Sequence, residues 1–322
     1  MALRQGELAT KFWGVRGSIP APISNSEIRY KVTEVLKKAI KEKIIKESQL
    51  EDFINSLPAD SLGTTGGNTA CVEIRASNKI MVFDSGTGIR ILGQELMSGE
   101  FAKGEGVLHL FLSHTHWDHI MGFPFFVPAY IKGNSIHIYS CHPKMEDRFN
   151  NQHNPLHFPV QLESLSANIE FHPIKSEEDF ILDDCTITPI DLNHPGGSYG
   201  YRVEHAGKKV VYATDSEYKD ITDKGLKKHL DFFYESDILI FDAMYTLSDA
   251  LDKEDWGHSS SLIGAEIAMA AKVKKLILFH HDPTNDDCVL QDILEKTIKF
   301  IKKNTEHQCE VILAREGLTL EI

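Results

Sequence analysis

The sequence predicts an α/β fold built from two batches of strands interleaved with helices, with a helical segment inserted near the N-terminus. Three features predict it. Short β-branched or alternating runs recur in both halves of the chain, segments of helical periodicity stand among them, and one long amphipathic stretch follows the first run. With 322 residues and 42% hydrophobic content, the chain has the material for one large α/β domain or two ordinary ones. It has no repeat, low-complexity tract or obvious linker. The simplest expectation is one domain over 1–322 with a helical insertion at about 26–58.

The first batch of strands is expected at 10–15, 70–75, 79–83, 107–112, 135–139 and 168–171, each a run of residues suited to a pleated, half-buried surface. Between the first two, residues 27–57 place Ile28, Val32, Leu36, Ile40 and Ile44 at steps of four with Lys and Glu between them, the pattern of an amphipathic helix or helical pair. Its apolar stripe is expected to pack on the domain or on a sister subunit. A shorter helix is expected after Gly86. The second batch of strands is expected at 185–191, 200–204, 209–212, 238–241, 275–279 and 311–313, with helices at 259–271 and 286–303.

Composition excludes several classes. The longest apolar stretches, such as 122–130, fall far short of the roughly 20 residues a membrane span needs. The first ten residues lack the apolar core of a secretory signal, so the cytoplasm is the expected location. The five cysteines are odd in number and never spaced C-x-x-C, and read as reduced thiols. A formal net charge of −13 disfavours long nucleic acids, whose affinity comes largely from Lys and Arg neutralising phosphates. A small anionic substrate is not disfavoured if metal ions meet it.

The segment from Ser113 to His119 carries the chemistry. His114, His116, Asp118 and His119 follow directly on an apolar strand. In extended chain, residues two apart face the same side, so His114 and His116 can address one metal; a turn into helix at Trp117 then redirects Asp118 and His119 toward a second. Imidazole and carboxylate donors suit zinc, and also manganese or iron. Further ligands are expected where later strands run out into loops, at His194, Asp215 and His280.

These residues, in this order, make the sequence resemble the metallo-β-lactamase superfamily, whose H-x-H-x-D-H motif is followed by a His, an Asp and a final His. The opening Phe12-Trp13-Gly14-Val15-Arg16-Gly17-Ser18, the Gly66-Gly67-Asn68-Thr69 segment and Asp84-Ser85-Gly86-Thr87-Gly88 resemble a phosphodiesterase branch. That branch includes cyclic-nucleotide phosphodiesterases and lies near ribonuclease Z and cyclic-phosphate phosphodiesterases. The resemblance implies a four-layer αββα sandwich and two divalent metal ions, zinc first. It implies that His114, His116 and His194 hold one ion, that Asp118, His119 and His280 hold the other, and that Asp215 bridges them. A homodimer is also implied by the resemblance alone.

His281 is the alternative to its neighbour as ligand and is otherwise expected to support it from behind. Asp84, at a strand end, is expected either to orient the ligand loop or to serve the tight turn beside Gly86.

A pair of metal ions can lower the pKa of a shared water and clamp the attacking and leaving oxygens of an in-line displacement. The expected reaction is hydrolysis of a small phosphodiester, a 3′,5′-cyclic nucleotide first. The alternatives are ribonuclease Z-like RNA cleavage and hydrolysis of a lactone or thioester. His258, opening the 259–271 helix, resembles the extra histidine of phosphodiesterase relatives. It is expected to donate a proton to the leaving alkoxide, with Asp118 as the second catalytic candidate. A catalytically silent binding module is the reading from another class, and the intact set of ligand positions opposes it.

Overall fold

The computed structural model describes residues 6–220 and 222–322. In chain order its first half runs β1 (Leu8–Gly14), α1 (Asn25–Lys41), α2 (Leu50–Ser56), α3 (Ala59–Leu62), β2 (Cys71–Ala76), β3 (Lys79–Phe83), α4 (Gly88–Leu96), β4 (Val107–Phe111), α5 (Trp117–Ile120), β5 (Ser135–Ser140), α6 (Met145–Gln152) and β6 (Asn168–Pro173). The second half runs β7 (Phe180–Leu182), β8 (Cys185–Leu192), β9 (Ser198–His205), β10 (Lys208–Ala213), α7 (Asp223–Phe233), β11 (Ile238–Asp242), α8 (Leu247–Asp252), α9 (Ser261–Ala270), β12 (Lys275–Phe279), α10 (Asp287–Asn304), β13 (Glu310–Leu313) and β14 (Thr319–Glu321).

The two strand batches become two mixed seven-stranded sheets, ordered β14-β1-β2-β3-β4-β5-β6 and β13-β12-β11-β10-β9-β8-β7. Strands β3 to β6 run parallel, as do β10 to β13. Every expected strand is present within a residue or two at each end. The strands not expected, β7 and β14, are three-residue edges, too short to show a period. Both are made by pairing: β7 with β8, and β14 with β1 from the opposite end of the chain.

Three apolar clusters hold these layers together. Phe12, Phe83, Phe111, Tyr201, Tyr212 and Phe279 fill the space between the sheets. Ile89, Leu92, Leu110 and Phe149 seal the outer face of the first sheet, and Phe233, Leu239, Ala265 and Leu290 that of the second. Alternation along each strand produces this: in β4, Leu108 and Leu110 join the outer cluster while Phe111 turns inward. Helices, sheet, sheet and helices form the αββα sandwich, in which each large buried side chain contributes roughly 1.5–3 kcal/mol of burial.

The insertion departs from expectation. Ser24 and Glu27 form a capping box that starts α1, yet α1 buries none of its residues. Its stripe faces outward, with Ile28 45%, Val32 53%, Leu36 57% and Ile40 78% exposed. Within this chain the stripe therefore does not pack on the domain. The physical reason lies on the other face, where Lys31 reaches Asp287 at 2.8 Å, so a charge is what α1 turns toward the body. Among the described residues no helix is long and apolar enough to cross a membrane.

Candidate metal centre

The parallel strands deliver their C-terminal ends to one rim, where open α/β sheets place ligands. Past β3 stands Asp84; past β4, the run Ser113 to His119; past β8, His194; past β10, Asp215; and past β12, His280. Asp84, Asp215 and His280 all adopt left-handed backbone, with φ of 61°, 58° and 59°. Asp and His tolerate this region better than most residues, but it still costs of order 1 kcal/mol or more at each. The strain turns each side chain sharply off its strand toward the rim.

Two donor sets result. His114, His116 and His194 converge, with His194 Nε2 3.0 Å from His116 Nδ1. Asp118, His119, Asp215 and His280 form the other set. There His280 Nε2 lies 3.2 Å from both Asp118 Oδ2 and Asp215 Oδ1. His119 Nε2 lies 3.3 Å from the same two oxygens. Asp215 joins the sets: its Oδ1 faces His119 and His280, while its Oδ2 faces His114 at 3.6 Å and His194 at 3.7 Å.

These donors fit metal ions. Nitrogens and oxygens about 2.0–2.1 Å from a tetrahedral ion lie about 3.3–3.4 Å from one another, which is the spacing seen. His114 Nε2 is buried and has no hydrogen-bond partner among the described residues, although it points into the cluster.

The electrostatics agree. Burial opposes charge on His119, yet Asp215, Asp118 and Asp84 outweigh it and raise its proton affinity well above the usual value. Burial likewise opposes ionisation of Asp118 and Asp215, but neighbouring His119 and His280 hold both carboxyls below the carboxylate range. That set favours positive charge, whereas burial lowers the proton affinity of His114, His116 and His194 in the other.

Around the donors stands a layer of orienting groups. Asp84 accepts from Ser113 N at 2.8 Å, Ser113 Oγ at 2.7 Å and Tyr212 OH at 2.7 Å, and pairs with His119 Nδ1 at 2.7 Å. Of its two expected placements, it thus stands behind the ligand loop. His194 Nδ1 donates to the Gly257 carbonyl at 2.8 Å. A side chain at Gly257 (φ 82°) would strike the His194 ring, and one at Gly17 would strike His280.

His258 lies at the rim between His194 and His280, with ring centroids 5.2 and 5.1 Å away. Its Nδ1 meets Asp242 Oδ2 at 2.8 Å. Burial works against its protonation, but Asp242, and then Asp215 and Asp118, push its pKa up to about 9. His281 turns away: its Nε2 donates to the Ala314 carbonyl at 2.9 Å, and its backbone ties the Val15–Gly17 segment to the strand end.

Asp242, Ser113, Tyr212 and the Ser18 amide, which donates to Asp118 Oδ2 at 2.7 Å, were not anticipated from sequence. Asp242 had a signal, since it ends the apolar strand β11 just as Asp84 ends β3. The tyrosine and the amide had none, because their contacts join segments far apart in the chain.

Residues 80–281 match the family model of the Beta-lactamase superfamily domain. Ribonuclease Z of Crocosphaera subtropica is 24% identical over 325 residues, covering 81% of this chain and 96% of that protein. Among solved structures, the metallo-beta-lactamase fold protein YhfI from Bacillus subtilis superposes with a TM-score of 0.63 at 18% identity, covering 99% of this chain and 100% of that one. Unliganded yeast PDE1 does so with 0.64 at 13% identity, covering 98% and 99%. With its fold, its converging His and Asp donors and these relatives, the chain belongs to the β-lactamase superfamily and is a metal-dependent hydrolase of the metallo-β-lactamase fold.

Proposed function

We propose that this chain is one hydrolase domain that cleaves a small phosphodiester, with a 3′,5′-cyclic nucleotide as the leading substrate. The observation that carries the reading is the His258–Asp242 pair. Asp242 holds the Nδ1 proton of His258, so its Nε2 is left to serve the centre, and the same carboxylate raises the proton affinity of the ring. A protonated imidazole beside the ligands suits a reaction that expels an alkoxide, which must gain a proton as it leaves.

His114, His116 and His194 would hold one divalent ion and Asp118, His119 and His280 the other, with Asp215 shared between them; zinc is the first candidate, then manganese or iron. When bound, such a pair supplies an activated water and neutralises charge on a phosphoryl group. Asp118 accepts the Ser18 amide on the oxygen that also faces His119 and His280, which fixes the carboxylate against rotation. Arg148, Trp117 and His157 lie along a groove beside the ligand loop, with Arg148 held to Thr115 at 2.8 Å; a cation there suits a substrate phosphate. The uncovered stripe on α1 supports association of two copies.

The ribonuclease Z relatives, aligned over 81% of the chain, favour RNA cleavage as the second reading. Zinc- or manganese-loaded protein should be tested on bis-p-nitrophenyl phosphate, cyclic AMP, cyclic GMP and a precursor tRNA, beside Asp118→Ala and His258→Ala. Cyclic-nucleotide turnover is expected, with a loss of about 100- to 10,000-fold in kcat for His258→Ala and at least as much for Asp118→Ala. Cleavage of the tRNA alone would replace the first reading with the second. Failure to cleave any phosphodiester would overturn both.

A further inference from the structure

A second group of metal-type donors lies on the first sheet and shares no residue with the centre at the rim. Strands β5 and β6 are parallel, with His137 opposite Glu170 and Tyr139 opposite His172. Glu170 and His172 are two apart and so stand on one face of β6, the face His137 uses on β5; the residues between them, Ile136, Ile138, Ile169 and Phe171, turn to the apolar cluster on the other face. The geometry is a near-equilateral triangle. His137 Nδ1 is 3.1 Å from His172 Nε2, and Glu170 Oε2 is 3.5 Å from each.

We propose that His137, Glu170 and His172 form a second metal site, for a single divalent transition ion such as zinc. The sides of the triangle bracket the roughly 3.3–3.4 Å edge of a tetrahedral zinc site with nitrogen and oxygen ligands. Neighbouring groups restrain each donor: a hydrogen bond fixes the carboxylate, and ring contacts limit the two imidazoles. Asn168 Nδ2 donates to Glu170 Oε1 at 2.6 Å, which leaves Oε2 turned to the imidazoles. The Tyr139 ring stacks on His172 at 4.9 Å, and the His109 ring on His137 at 5.3 Å.

Without an ion, a proton between the two imidazole nitrogens holds the pair together; a cation takes that proton's place and releases it to solvent. The side chains are 23%, 45% and 35% accessible for His137, Glu170 and His172, giving the ion an open path and leaving its fourth position to water. Two histidines and a carboxylate bind zinc, nickel or copper in preference to calcium or magnesium.

The test uses the full chain and the metal alone. After equilibrium dialysis against micromolar zinc, the wild type should retain one more zinc per chain than Glu170→Gln, His172→Ala or His137→Gln. Cobalt(II) titrated into metal-free wild type should give about one more equivalent of tetrahedral visible absorption than in the variants. All three side chains are partly exposed, and circular dichroism should record an unchanged fold. Equal zinc content and equal cobalt spectra in the wild type and all three variants would overturn the proposal.

Discussion

The rim of the sandwich and the helix α1 are both rich in charged and polar residues, but the chain treats them in opposite ways. At the rim, His114, His119, Asp84, Asp215 and His280 are almost wholly buried, and each is engaged by groups from other segments. On α1 nothing is buried, and the apolar residues are the ones left to solvent. The rim spends backbone strain and desolvation to converge on one point. The insertion rests on the body through the Lys31–Asp287 ion pair and through Phe53 and Leu57, which lie beyond α1. The contrast teaches that burial of polar groups marks where this fold concentrates chemistry, whereas hydrophobic periodicity by itself did not mark where α1 would pack.

The sharpest way to break the comparison is Asp84→Ala. It strips a buried carboxylate from Ser113, His119 and Tyr212, so metal affinity or activity should fall about 10- to 100-fold and stability by about 3–5 kcal/mol. Metal titration and thermal denaturation read the two effects. Wild-type values for both would mean that the ligand loop holds itself.

At the insertion the effects should be smaller. The ion pair of Lys31 and Asp287 is largely shielded, and burial works against the ionised Asp287, but the bonds from Lys31 and Thr65 outweigh it and hold the carboxyl below its usual range. A depressed carboxyl contributes stability that is fully present above its unfolded value, about 3.9, and is lost as pH falls through its folded value. Lys31→Ala should therefore cost more at pH 7 than the roughly 1 kcal/mol of an exposed pair, but less than the roughly 3–5 kcal/mol of a fully buried one, because Thr65 still bonds the carboxylate. The gap in Tm from wild type should close below about pH 4; a gap that widened toward acid would reverse the assignment.

The smallest effect is expected for Leu36→Ser on the exposed stripe, within about 0.5 kcal/mol of wild type. A fall in Tm of several degrees that shrinks on dilution, as the wild-type dimer dissociates, would instead reveal that a second copy covers the stripe, and would make α1 resemble the rim after all.

Much of the candidate centre was legible in the sequence because its His and Asp donors are local or strand-terminal. His114, His116, Asp118 and His119 fall in one short run, and His194, Asp215 and His280 each follow an apolar strand. What was not legible depends on pairs distant in the chain: Tyr212 on Asp84, Asp242 on His258, the Ser18 amide on Asp118. The pairing of His137 with Glu170 and His172 belongs with these, since neither β5 nor β6 contains the whole triangle.

By itself the sequence determined the α/β class, nearly every strand and the order of the donors along the chain, because hydrophobic period and residue type are local properties; the four-layer αββα arrangement was implied only by the family resemblance. Only the tertiary structure decided that Asp215 presents one oxygen to each donor set, that His281 turns from the centre to Ala314, and that the α1 stripe faces outward. Those outcomes depend on which surfaces meet when two sheets close on one another, and the chain specifies that only through the summed packing of residues far apart in sequence.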